Sequence, residues 1–170
     1  MYTLGTITDL LLKEFPDNFA KAVSHTTRNP RPGERHGREY FYVKDIDSMR
    51  RAIENGEFLE HAVVHGNLYG TSFDTLKLIE DSGRICVLDI DVNGLRQIIR
   101  ATKPSTLNRV GIVPVSMEDL EKRLRGRGTE TEENVRKRLM SAKGEIHAIL
   151  HDHIVDQVIH NVESWKVGYP

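Results

Sequence analysis

Between Ser24 and Tyr40 the chain reads SHTTRNPRPGERHGREY, gathering arginines, hydroxyls, a proline-glycine turn and a closing tyrosine into one short stretch. Arg28 and Arg31 stand three apart across Pro30, and a guanidinium presents planar paired donors that match phosphate oxygens better than an ammonium does. Tyr40 supplies a phenol able to donate to the same anion, and Pro32-Gly33 turns the loop back toward it. The chemistry on offer is capture of a phosphate. Composition alone favours a solvated basic loop, so the reading depends on what the rest of the chain supplies.

Further groups have the types and spacing for related chemistry. Tyr69 and Gly70 pair a second phenol with a residue that permits close backbone approach, although Tyr-Gly by itself is only a turn. Asp89 and Asp91 fall at the end of an apolar run, Ile85 to Ile90, where open α/β sheets carry their ligands; strand alternation places both on one face. Asp91 also suits a helix cap. Arg123, Arg127 and Arg138 surround a segment bracketed by Gly126 and Gly128, the pattern of a mobile lid whose arginines neutralise a phosphoryl group in transfer. Charged helices of this kind are ordinarily solvated or laced by salt bridges. His147, His151, His153 and His160 lack a recognised zinc spacing and read as a solvated helix end, so no metal site is expected.

The elements that must position these groups alternate between helical and strand patterns, which predicts an α/β domain with a largely parallel sheet. The spacing predicts helices over Thr6–Glu14, Asp45–Glu54, Ser72–Asp81, Val92–Ala101, Ser116–Leu124 and onward from Thr131 or Glu132. It predicts strands at Ala22–Ser24, Glu39–Val43, Phe58–Val64, Ile85–Ile90, Val110–Val115 and Val155–Ile159. Ile85–Ile90 is expected to be the most buried strand. A length of 170 residues with 38% hydrophobic content bounds the chain to one domain over residues 1–170. A formal net charge of -1 excludes a general polyanion binder, so no nucleic-acid partner is expected. The single cysteine, Cys86, reads as a small buried hydrophobe. No leader or membrane span is legible, and a cytoplasmic protein is expected.

Four blocks in order carry a resemblance: SHTTRNPRPGERHGREYFYV, EFLEHAVVHGNLYGTS, CVLDIDVNGLR and LEKRLRGRGTETEENVRKRL. They resemble the guanylate kinase family from about Gly5 to Asn161. The resemblance implies a P-loop-kinase-like three-layer α/β domain with a small GMP-binding β-rich subdomain at about 24–81 and a helical lid at about 123–138. It implies that Arg28, Arg31, Tyr40 and Tyr69, with Gly70, hold the GMP phosphate. Glu60 would read guanine by accepting from the ring N–H and the exocyclic amine, donors that adenine lacks, with Ser24 and Thr71 at the base edge. Asp91 would belong to the GMP site and Asp89 to its neighbourhood or to water around magnesium. Arg123, Arg127 and Arg138 would contact the donor phosphates and the transferred group, and Asn161 the donor adenine.

Family members open with a strand and the loop G-x-x-x-x-G-K-S/T, whose backbone N–H groups and lysine cradle the donor phosphates. No such sequence occurs in the 170 residues; Leu4 aligns with the family lysine, and Val162 stands where an aspartate is usual. The expectation is therefore a protein of purine nucleotide metabolism with an intact GMP site and an incomplete site for ATP and Mg2+, whose turnover of GMP to GDP is impaired. A sheet short of one strand would either be completed by a strand-swapped homodimer or leave a less stable monomer. The alternative is a non-catalytic guanylate-kinase-like module that recognises GMP or a phosphorylated protein partner.

Overall fold

The computed structural model describes residues 4–64, 66–102, 106–126 and 131–161. The chain folds as two compact units, one of residues Gly5–Pro104 and one of Ser105–Pro170 with Met1–Leu4. The predicted GMP-binding subdomain falls in the first unit and the predicted lid in the second.

The first unit runs α1 (Leu4–Glu14), β1 (Phe19–Lys21), β2 (His25–Thr26), β3 (Phe41–Tyr42), α2 (Ile46–Glu54), β4 (Phe58–Val64), β5 (Asn67–Ser72), α3 (Phe73–Asp81), β6 (Ile85–Val87) and α4 (Val92–Ala101). Its helices begin where short polar side chains can take an orphan N–H. Ser72 accepts from the Thr75 N–H and Asp91 from the Gly94 N–H, and each such cap stabilises its helix by about 1 kcal/mol. β1 and β6 pair in parallel, Phe19 against Ile85 through Lys21 against Val87. Ala20, Ala22 and Ile79 of α3 are buried together, with Cys86 and Leu88 packed against them. Burial pushes the Cys86 thiol up to about 11, which keeps it protonated and unreactive at neutral pH.

Three strand expectations change in this unit, the run at Glu39–Val43 being a strand only over Phe41–Tyr42. The strand foreseen at Ala22–Ser24 forms earlier, at Phe19–Lys21, and the chain breaks before β2. The Ile85–Ile90 run is a strand only to Val87, and Ile85 is exposed. Asp89 and Asp91 therefore lie in the connection to α4, not at alternating strand positions.

β2, β3, β4 and β5 form a four-stranded sheet in the order β3-β2-β5-β4, with β2–β3 parallel and the other pairs antiparallel. The second unit contains β7 (Val110–Pro114), α5 (Met117–Arg125), α6 (Glu132–His151) and β8 (Gln157–Asn161). β8 starts two residues later than expected and pairs in parallel with β7. Gly111 lets α6 approach β7, since a Cβ there would stand 2.4 Å from the Ile149 side chain. Arg125 ties α5 to α6 by bonding both Glu121 and Glu132. Among the described residues no helix is long and apolar enough to cross a membrane.

Candidate functional site

The four-stranded sheet sorts its side chains by alternation. Paired residues share a face, so Thr26, Tyr42, Tyr69 and Thr71 lie on one side, while His25, Phe41, Gly70 and Ser72 lie on the other. The second side is aromatic: the His25 ring stacks on Phe41 at 4.9 Å and meets Phe58 edge-on at 5.3 Å. Gly70 is required there, because a Cβ would come within 2.6 Å of the Phe58 ring and 2.9 Å of the Glu60 carbonyl. The first side is polar and collects the residues expected to hold a nucleotide.

Threonines fix the arginine loop to this face. The Thr26 hydroxyl donates to the Leu68 carbonyl and accepts from the Arg28 N–H, and the Thr27 hydroxyl accepts from the Leu68 N–H at 2.9 Å. Arg28 is thereby placed over Tyr40, 5.4 Å from the ring centroid, and beside Tyr69, whose ring lies 5.7 Å from that of Tyr40. Burial raises the Tyr40 phenol above its ordinary value, so it remains a hydrogen-bond donor. The Arg31 side chain is exposed at the loop.

Glu34, not singled out by the sequence, organises the loop. Its carboxylate accepts from Arg28 through both oxygens at 3.0 and 3.1 Å, from the Arg31 N–H at 2.7 Å and from the Tyr42 hydroxyl at 2.8 Å. Burial alone would raise its carboxyl, but these donors outweigh it and hold it below the usual value. Tyr42 is pushed up to about 12 by burial and by its bond to Glu34. A glutamate three residues after an arginine, across a Pro-Gly turn, is the signal that could have found this contact.

The carboxylate expected to read the base, Glu60, is set by an irregularity in β4. Phe58 pairs with Ser72 but Glu60 pairs with Thr71, so Leu59 is an extra residue in the ladder. The bulge moves Glu60 off the aromatic face, where simple alternation from Phe58 would place it, and onto the face of Thr71. Leu59 and Glu60 are consequently both buried, the glutamate to 4% exposure. The Ser24 and Thr71 hydroxyls are hydrogen-bonded at 3.0 Å beside it. Burial raises the Glu60 carboxyl above its ordinary value; hydrogen bonds from Thr71 oppose this, and the charge of Asp91 adds to it.

Helix α4 closes this corner. Asp91 caps it by accepting from the Gly94 N–H at 2.8 Å. Two turns along, the Gln97 amide accepts from the His61 N–H at 3.1 Å and donates to the His61 carbonyl at 2.6 Å, strapping α4 to the edge of β4. Asp89 stands 4.0 Å from the Lys21 ammonium. The structure thus gathers Ser24, Arg28, Tyr40, Glu60, Tyr69, Thr71 and Asp91 around one face of the sheet and its neighbouring helix, while Gly70 faces the opposite, aromatic side.

The predicted donor-side residues lie in the second unit. Arg123, expected on a mobile lid in contact with the donor phosphates, is buried at 8% exposure, pairs with Asp119 at 2.7 Å and donates to the Asn161 carbonyl at 2.8 Å. Its place in α5 faces β8, so the guanidinium is spent on holding those elements together. Asn161 takes part through its backbone. Arg138 lies half-buried on α6, and Arg127 falls outside the described residues. Of the late histidines, His147 and His151 are ring neighbours at 4.7 Å on α6, and His153 follows in a left-handed conformation.

This arrangement can be set beside known proteins. The guanylate kinase family model matches residues 4–164. A guanylate kinase 1 of Arabidopsis thaliana is 46% identical over 159 residues, which are 92% of this chain and 40% of that protein. The chain thus spans less than half the length of that plant relative. A guanylate kinase of Sus scrofa is 43% identical over 159 residues, 92% of this chain and 78% of its own length. The crystal structure of guanylate kinase from Anaplasma phagocytophilum superposes with a TM-score of 0.66 at 32% identity, covering 90% of this chain and 72% of that one. Likeness in sequence across nearly the whole chain, and likeness in fold to a solved member, both place it in one group: the chain belongs to the guanylate kinase family.

Proposed function

We propose that this chain binds GMP as the acceptor for the phosphoryl transfer that yields GDP, a step of purine nucleotide metabolism in the cytoplasm. The observation that carries the reading is the shared face: a buried carboxylate, Glu60, beside the Ser24–Thr71 hydroxyl pair, on the same side of one sheet as Arg28, Tyr40 and Tyr69. Glu60 accepts from the guanine ring N–H and amine. Ser24 and Thr71 complete the base edge. Arg28, Arg31 and the two phenols hold the phosphate, with Glu34 fixing the arginine loop. Adenine offers no donor to Glu60 and leaves its buried oxygens unpaired, which is the physical basis of discrimination.

ATP with magnesium is the donor that the family implies. Of the arginines the family would turn toward that donor, Arg123 is engaged by Asp119 and by the Asn161 carbonyl. Calorimetric titration of the purified chain with GMP and with AMP tests the acceptor reading. Saturable GMP binding at least about tenfold tighter than AMP is expected from the loss of one or two charge-assisted hydrogen bonds. Equal affinities, or no binding of GMP, would overturn it.

A further inference from the structure

Gly94 occupies the third position of α4, inside the helix, where glycine is a poor helix former and alanine the best. Its φ is not in the left-handed region, so backbone geometry does not demand glycine. Space does. A Cβ built on Gly94 stands 2.8 Å from Oε2 of Glu60 and 3.4 Å from the Ile90 Cβ. Contacts below 3.0 Å require something to move, and the carboxylate is hemmed in by its own burial, by Thr71 and by the bulge behind it. The helix cannot easily retreat instead, because Gln97, three residues on, exchanges two hydrogen bonds with the backbone of His61, the residue after Glu60.

We propose that Gly94 is a specificity-determining positioning residue: it vacates the space in which the Glu60 carboxylate sits, while Gln97 fixes the distance between α4 and β4. The inference rests on the reading of Glu60 as the guanine reader. It goes beyond that reading by assigning selectivity to a residue with no side chain. A methyl group at position 94 displaces Oε2, and one of the two parallel acceptors no longer meets its donor. Helix propensity and base selectivity then pull in opposite directions at this position.

The test compares wild type, Glu60→Gln and Gly94→Ala by titration with GMP and with AMP, and by thermal unfolding. If wild type shows no preference for GMP, or Glu60→Gln keeps the wild-type preference, the reading of Glu60 itself falls. With that preference established as Glu60-dependent, Gly94→Ala is expected to lower it about tenfold, the loss of one charge-assisted bond, and to lower the melting temperature through the clash with the Glu60 carboxylate. An unchanged GMP-to-AMP ratio would overturn the role of Gly94 alone. Should Gly94→Ala not fold, the double variant Glu60→Ala/Gly94→Ala decides. Recovery of folding once the carboxylate is removed identifies Glu60 as the group the methyl strikes, and failure to recover overturns the proposal.

Discussion

Replacing Glu60 by glutamine preserves its size and its place in the bulge and alters two measurable things. Toward GMP, one acceptor oxygen becomes an amide N–H2 that faces a guanine donor. Losing a hydrogen bond to a charged acceptor costs about 1.5–3 kcal/mol, so GMP affinity should fall roughly tenfold to 150-fold while AMP affinity is retained. Toward the fold, burial holds the Glu60 carboxyl above 4.5, with the charge of Asp91 contributing and hydrogen bonds from Thr71 opposing. The folded chain then holds this proton more tightly than the unfolded chain does. The resulting stability is present below pH 4.5 and is lost as pH rises through the folded-state value. Glutamine has no proton to lose, so Glu60→Gln should gain stability relative to wild type as pH rises from about 4.5 to about 8. Urea unfolding across that range, with GMP and AMP titrations at about pH 7.5, measures both effects. A variant that keeps its GMP preference, or a stability difference that does not vary with pH, would refute the reasoning.

Two more outcomes follow from groups around the same sheet. Glu34 is held below its ordinary value because the Arg31 N–H, Tyr42 and Arg28 together outweigh its burial, so its stabilisation is present above pH 4.5 and lost as pH falls through the folded-state value. Glu34→Gln should cost on the order of 1–3 kcal/mol at pH 7 in urea unfolding, with the difference from wild type shrinking on acidification. His25 is lowered from 6.5 by burial and secondarily by His36, so its neutral form belongs to the fold; stability present above pH 6.5 is lost as pH falls through the folded-state value. His25→Phe keeps the ring contacts with Phe41 and Phe58 and should flatten the thermal-stability profile below pH 6.5.

Helix starts were legible because their causes are local. Ser72, Asp91, Ser116 and Thr131 each precede a helical pattern, and each accepts from the N–H three residues on. β4 was legible to the residue because Gly56 and Gly66 bound a mostly apolar run, interrupted only by Glu60 and His61. The bulge was not, since an inserted residue shows only against a partner strand, and simple alternation would group Glu60 with Phe58. The short parallel strands β1 and β6 were misplaced or overlong for a similar reason: their extent depends on pairing between stretches far apart in the chain. Most of the residues proposed for the acceptor site come from the arginine loop and the Glu60 block, both legible as local sequence. The role of Glu34 was hidden because an acidic residue in a basic loop looks like charge balance. Arg123 reads as an arginine of a mobile lid, and only the approach of β8 reveals its burial.

The Gln97 strap also bears on how the protein behaves in concentrated solution. A sheet edge with free N–H and C=O groups is a template for pairing with another chain. At one end of the four-stranded sheet, the outward groups of His61 in β4 are taken up by the Gln97 amide, which mimics a rung of a neighbouring strand. At the other end, β3 is two residues long and gives an incoming strand little to align with. A truncation of Gln97 would uncover a rung on which strands of separate molecules can begin to associate.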